Sequence, residues 1–217
     1  PARSEQLDFK AFLSRLPAWE RSPIHIFRHL ETCPDSLGPS LIEAFTPSDP
    51  WYMHQHIKGV VARWQLAALP LIRKQAEAYL SDTLAYFRPF RDGQLCLRAA
   101  EAYCRLKSKR KEALEYLLAH PKTAAQALIP ELFGKTKKNQ KWAQQSLLAL
   151  SQQGFRQSIE EAASAYGPEA KEALTALLEM DELDILPDKM PELPSWYHSA
   201  SLEPPILKTG GAVTGEA

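Results

Sequence analysis

Apolar residues recur along most of this chain at the three-and-four spacing of an amphipathic helix, and in its second half the pattern itself recurs. A Leu-Leu pair closes a helical run at Leu117-Leu118, at Leu147-Leu148 and at Leu177-Leu178, each pair thirty residues from the next. The residues before each pair agree in type: Ala113-Leu114-Glu115-Tyr116, Ala143-Gln144-Gln145-Ser146 and Ala173-Leu174-Thr175-Ala176. A period of this length carried by helices predicts stacked helix pairs, because one pair alone cannot bury its apolar face.

The elements follow from punctuation as much as from periodicity. Ser4 can cap a first helix bearing Phe9, Phe12, Leu13 and Leu16, which Pro17 stops or bends. Pro23, Pro34, Gly38 and Pro39 break the next stretch into short helices. Asp49-Pro50 reads as an N-cap with proline at the first helical position. A long helix should follow with Ile57, Val60, Val61, Trp64, Ala67 and Ala68 on one stripe, until Pro70 breaks it, and Ile72 to Phe87 continues in the same style. From Gln94 the expected helices are 94–106, 110–120, 122–133, 138–152, 155–166 and 169–180. Pro121, Gly134, Gly154 and Gly167-Pro168 mark their ends. No segment alternates with period two, so no strand is expected.

After Met180 acidic residues (Asp181, Glu182, Asp184, Asp188, Glu192) alternate with Pro187, Pro191 and Pro194, and Leu183, Ile185, Leu186, Met190, Leu193 and Trp196 supply apolar area. This reads as an extended strap docked on helices. The sequence therefore predicts an all-α protein: an irregular helical portion over 1–93, right-handed HEAT-like or ARM-like stacked pairs over 94–180, and a proline-rich strap and linker over 181–217.

Composition narrows the function classes. Lys+Arg and Asp+Glu both number 26, so no global field draws nucleic acid or an anionic membrane, and any electrostatic function must be local. No apolar run reaches the roughly 20 residues that span a bilayer. Cys33, Cys96 and Cys104 are too few for a disulfide scaffold and point to a reducing cytoplasm. Pro1 in place of an initiator Met, and a close in Lys208-Thr209-Gly210-Gly211-Ala212, read as a piece of a larger protein.

A set of short motifs runs in order from His120-Pro121 through Leu128-Ile129-Pro130, Gly134-Lys135, Tyr166-Gly167 and Leu183-Asp184-Ile185-Leu186-Pro187. It continues with Met190-Pro191-Glu192-Leu193-Pro194-Ser195-Trp196 and the Lys208–Ala212 run. Together they resemble the middle region of the large bacterial proteins called molybdate metabolism regulators. Those proteins carry a tryptophan-glycine-arginine domain near the N-terminus and a C-terminal domain of unknown function. The resemblance implies an intracellular bacterial protein with a helical-repeat middle, tied to molybdate-related regulation. It brings no catalytic motif and no functional residue.

Three sites are candidates by residue type. His25, His29 and Cys33 fall at i, i+4 and i+8, one face of a continuous helix and a zinc-like spacing. Pro34 argues that the helix ends before the sulfur, and Ile26, Phe27 and Leu30 argue for core. His54 and His56 point to opposite sides of a helix. Cys96 and Cys104 read as small buried hydrophobes, since a reactive thiol needs an exposed, electropositive site. The third site is basic. Arg105, Lys107, Lys109, Arg110 and Lys111 surround one inter-helix turn, and Lys135, Lys137, Lys138 and Lys141 surround another about one repeat later. Stacking would set both turns on one edge, a ridge able to neutralise phosphates. The third equivalent turn, Tyr166-Gly167-Pro168-Glu169, carries no such charge, and loop lysines also serve solubility.

No phosphate loop, nucleophile elbow or zinc-spaced cysteine pair is present, so neither enzyme chemistry nor a cofactor is expected. Trp51, Trp64, Trp142 and Trp196 read as core or docking side chains. The function these features suggest is an interaction scaffold for a protein partner or a sister domain. The alternative is nucleic-acid binding through Lys107, Lys109, Arg110, Lys135, Lys137, Lys138 and Lys141.

Overall fold

The computed structural model describes residues 14–15, 25–47 and 49–180, and those residues are helical with no strand among them. The helix expected on Phe9, Phe12, Leu13 and Leu16 and the strap over 181–217 lie outside the described residues. In chain order the helices are α1 (Ile26–Thr32), α2 (Gly38–Ala44), α3 (Pro50–Trp64), α4 (Leu69–Ala78) and α5 (Leu80–Thr83). After them come α6 (Gly93–Arg105), α7 (Arg110–Ala119), α8 (Pro121–Leu132), α9 (Lys137–Leu150), α10 (Arg156–Ser164) and α11 (Pro168–Glu179). One apolar core runs through them from Phe27 in α1 to Leu177 in α11.

Asp49 does cap α3, accepting from the Trp51 amide at 2.8 Å, with Pro50 as the first helical residue. The long helix expected to reach Pro70, however, stops at Trp64. Gln65 takes φ 47°, ψ −123°, a backbone that side-chain-bearing residues rarely adopt, and residues 65–68 form a 3-10 turn. The cause lies far away in sequence. Arg63 donates to the carbonyls of Leu30 (3.3 Å), Glu31 (2.8 Å) and Cys33, and Trp64 Nε1 donates to Leu30 O at 2.7 Å. Together they satisfy the orphan C-terminal carbonyls of α1. The Trp64 indole lies over Gly38, where an added Cβ would meet its ring at 1.9 Å, so α2 needs glycine there. Pro70 instead sits in the first turn of α4, where its missing N–H costs nothing. The run expected from Ile72 to Phe87 is likewise interrupted, at Tyr79.

From α6 onward the expected and observed helices agree closely. α6 packs on α7, α8 on α9 and α10 on α11; along the chain α6 meets α8 and α8 meets α10, while α7 meets α9 and α9 meets α11. The leucine recurrence supplies the contacts. Leu117 and Leu147 are fully buried and Leu177 is 8% exposed, and Leu118, Leu148 and Leu178 pack partly buried against the same core. Burying one such side chain fully stabilises by about 2 kcal/mol. Ala113 and Ala143 are buried in the same register, but Ala173 is exposed and Leu174 takes its role. Among the described residues α11 has helices on one side only, so a narrower apolar stripe suffices.

Two polar contacts tie the elements together. Asp92 is 8% exposed and caps α6 by accepting from Leu95 N at 3.0 Å, while Arg73 of α4 grips the same carboxylate through Nε (3.1 Å) and NH2. Tyr116 of α7 donates to Phe90 O at 2.8 Å, fixing the approach to that cap. The second contact repairs a proline. Pro130 lies inside α8 and cannot bond the carbonyl of Gln126, four residues before it. The Tyr166 hydroxyl, from the turn between α10 and α11, donates to that carbonyl at 2.7 Å.

Burial pushes the Asp92 carboxyl up, but Arg73 and the α6 amides outweigh it and hold the group below its ordinary value. Asp92 therefore contributes stability that is full at neutral pH and is lost as pH falls through the lowered value. Asp92→Ala should cost about 2–3 kcal/mol and lower Tm by about 5–10 °C at pH 7. The gap between wild type and variant should narrow in melts below about pH 4. A gap that stays constant to pH 2 would mean the carboxylate charge contributes nothing. Tyr166→Phe should cost about 1 kcal/mol in urea unfolding, and less in a Pro130→Ala background, where the restored amide serves Gln126. Equal costs in both backgrounds would break the link between Pro130 and Tyr166.

Candidate functional site

The basic residues at the two turns divide into paired and unpaired groups. In the first turn Lys109 Nζ meets Glu112 Oε2 at 2.8 Å, Lys111 reaches Glu115 at 3.9 Å, and Arg105 reaches Glu101 at 3.2 Å. Arg110 lies over the Tyr103 ring, 4.6 Å from its centroid, and donates to the Tyr103 hydroxyl at 3.1 Å. Lys107, Lys135, Lys137, Lys138 and Lys141 are exposed, and among the described residues none has an acidic partner within 4.0 Å. The positions were readable in sequence; the pairing was not, apart from contacts at i, i+3 and i, i+4.

A cysteine links the two turns. Cys104 near the end of α6 has its sulfur 3.9 Å from the carbonyl of Trp142 in α9. Burial pushes its thiol up, opposed by Ser146 and by the charges of Arg110 and Lys141. Tyr103, whose ring Arg110 covers, and Lys141 are the chain neighbours of the two residues in the Cys104–Trp142 contact. Lys137 and Lys138 stand in the first turn of α9, which carries no acidic residue. Cations there oppose the positive end of the helix dipole, the reverse of what stability favours. Two amides in the same turn are committed: Asn139 donates to Glu131 at 2.9 Å and Gln140 to Gly134 O at 2.6 Å.

A groove opens on the α6–α8 side. One part, about 300 Å³, is lined by Gln94, Leu97, Glu101, Leu128, Glu131 and Trp142. A second part, about 430 Å³, shares Gln94, Leu97 and Glu131 and extends to Arg73, Asp92 and Pro130. Its floor holds Glu101, 7% exposed, between Arg98 at 3.0 Å and Arg105 at 3.2 Å. A carboxylate this buried is held by having both cations. Sequence reading passed over it, although Arg98 at i−3 and Arg105 at i+4 are a legible signal.

The histidine and cysteine candidates separate. α1 ends at Thr32, and Cys33 is extended (φ −65°, ψ 155°), so His25, His29 and Cys33 do not share one continuous helix face. No group of three His, Cys, Asp or Glu among the described residues is arranged to hold a metal ion. His25 meets the Tyr52 ring edge-on at 6.3 Å. His54 Nδ1 contacts Tyr86 Oη at 2.6 Å while His56 Nδ1 contacts Glu31 at 2.7 Å, on different neighbours as their spacing implies. Cys96 is fully buried, and burial above all pushes its thiol up to about 12, so it carries no thiolate at neutral pH. Trp51 is 62% exposed, contrary to a core role, because it sits on the outer side of the first turn of α3. Trp64 and Trp142 are partly buried against the core.

No helix among the described residues is long and apolar enough to cross a membrane. No protein-family model matches the chain, and no solved structure matches it. The chain is 29% identical over 154 residues to the "Uncharacterized protein YehI" of Escherichia coli (strain K12), a match covering 70% of this chain and 13% of that protein. The chain thus matches a small part of the length of a much longer bacterial relative.

Proposed function

We propose that this chain is a non-enzymatic interaction scaffold built of right-handed HEAT-like helix pairs from about Gln94 to Met180. Its α6–α8 face would receive a protein partner or a sister domain of a longer chain. The observation that carries the reading is the like-on-like order of packing, α6 on α8 on α10 and α7 on α9 on α11. The groove through Gln94, Leu97 and Glu131 runs along α6 and α8, with Asn139 and Trp142 of α9 closing one side. Buried, protonated thiols and ion-paired carboxylates suit a surface that binds rather than reacts. The motif order of residues 120–212 supports placing the chain with the middle region of molybdate metabolism regulators, in a cytoplasmic bacterial setting.

A second reading, nucleic-acid binding along the basic edge, is favoured by one observation: five exposed lysines at and around the two turns have no acidic partner among the described residues. The readings separate by where a charge change acts. Gln94→Glu, on an exposed groove position, should weaken capture of a partner identified by cross-linking at least tenfold, a loss of about 1.4 kcal/mol. Lys137→Glu with Lys141→Glu should leave that capture unchanged and abolish any retardation of nucleic acid at low salt. Partner capture indifferent to Gln94→Glu would count against the groove.

A further inference from the structure

We infer that the basic edge takes single-stranded nucleic acid, holding its phosphates with lysines and stacking unpaired bases on Phe133 and on the Arg110–Tyr103 pair. The inference rests on the second reading above and narrows it to one form of polymer.

Three observations lead there. The first is an aromatic ring where a soluble turn has no structural need of one. Phe133 ends α8 and is 56% exposed, immediately before Gly134, Lys135 and the lysines of α9. Large apolar side chains are normally drawn inward, and Leu132 beside it is partly buried against the core while Phe133 is not. A ring facing water among cations is the pairing that single-strand binders use, because every base has a face to stack.

The second observation is the guanidinium of Arg110, over the Tyr103 ring at 4.6 Å from its centroid and anchored by the hydroxyl. One face of that plane is occupied and the residue is exposed, so the other can receive a base. Tyr103 adjoins Cys104, whose sulfur lies 3.9 Å from the carbonyl of Trp142, the residue after Lys141, which puts this second platform beside α9. Neighbouring helices pack about 8–10 Å apart, so adjacent turns fall within the reach of a few nucleotides.

The third observation concerns the usual means of reading a duplex. Direct readout needs free amides or bidentate arginines on an element that enters a groove. Asn139 and Gln140, which follow Lys137 and Lys138 directly, are both spent on the turn itself. Charge and stacking carry the inference: Lys107, Lys135, Lys137, Lys138 and Lys141 against phosphates, and flat side chains against bases. Lys137 and Lys138 also sit against the α9 dipole, so they and the first-turn amides present positive potential together. An incoming phosphate would relieve that local repulsion.

The test is fluorescence anisotropy of the full chain with a labelled oligothymidylate of roughly 15 nucleotides and with a hairpin duplex of equal length, between roughly 50 and 200 mM salt. The single strand should bind tighter than the duplex, with a log–log salt slope of roughly −2 to −3, as for three or four phosphates. Phe133→Leu keeps apolar bulk and removes the stacking plane; it should weaken the single strand roughly tenfold and leave both the duplex and the salt slope unchanged. Phe133→Tyr should restore binding. Lys135→Glu with Lys138→Glu should weaken both polymers and flatten the slope. Phe133 is more than half exposed, so unchanged helical circular dichroism is expected of each variant. If the duplex binds as tightly as the single strand, or Phe133→Leu behaves as wild type, the single-strand inference fails while the second reading stands. If neither polymer binds at the lowest salt, both fail.

Discussion

The carboxylate of Asp92 is the constraint on which the rest of the described structure depends. It lies between the short helices that precede it and the paired helices that follow, and it serves both. Toward α6 it satisfies an amide that no carbonyl can reach; toward α4 it is the counter-charge of Arg73. Tyr116 fixes the backbone on the other side through Phe90 O, and the Phe87 and Tyr116 rings meet edge-on at 5.5 Å. Removing the carboxylate would uncap α6, leave Arg73 without its acid, and loosen the helix against which α7, α8 and α9 all pack.

Beyond α6 the structure advances by solving the same problem repeatedly: apolar faces must be covered without stranding backbone polar groups. Leucine and alanine in a thirty-residue register cover the faces. The polar side is met case by case. Pro130 removes one helical hydrogen bond, and the next pair supplies Tyr166 to the carbonyl left open. Gly154 and Gly167, both at positive φ, turn the chain where the recurrence requires it to reverse. Cooperation between successive pairs therefore rests on specific hydrogen bonds as well as on buried area.

The same distinction explains what could be read from sequence. Most helix limits from Gln94 to Glu179 were legible because local signals set them, prolines at first positions and glycines at ends, whereas the Asp92 cap of α6 was not read. The end of α3 was not. Pro70 looked like the terminator, but the chain stops at Trp64 because Arg63 and Trp64 are needed by carbonyls some thirty residues earlier. Trp51, read by residue type as a core or docking side chain, is exposed and so is not core. Among the candidate site residues the charge clusters and the local pairs of Lys109 with Glu112 and Arg105 with Glu101 were legible, whereas the stacking of Arg110 on Tyr103, seven residues away, depends on the turn between their helices. Spacing drew His25, His29 and Cys33 together, and the end of α1 at Thr32 separates them.

Whether the basic edge is a solvated rim or a binding surface turns on cost. Lysines kept only for solubility are best placed where they also stabilise, at helix C-termini or opposite glutamates. Lys109 and Lys111 follow that rule, each with a glutamate one helical turn onward. Lys137 and Lys138 break it: they occupy the positive end of α9 with no acid in the turn. Solubility would be served equally by moving them to the last turn, which carries no basic residue at all. A chain of zero formal net charge thus places cations without acidic partners among the described residues in the first turn of α9, where they weaken their own helix. They stand a few residues after the exposed Phe133, and the proposed binding edge rests on that placement.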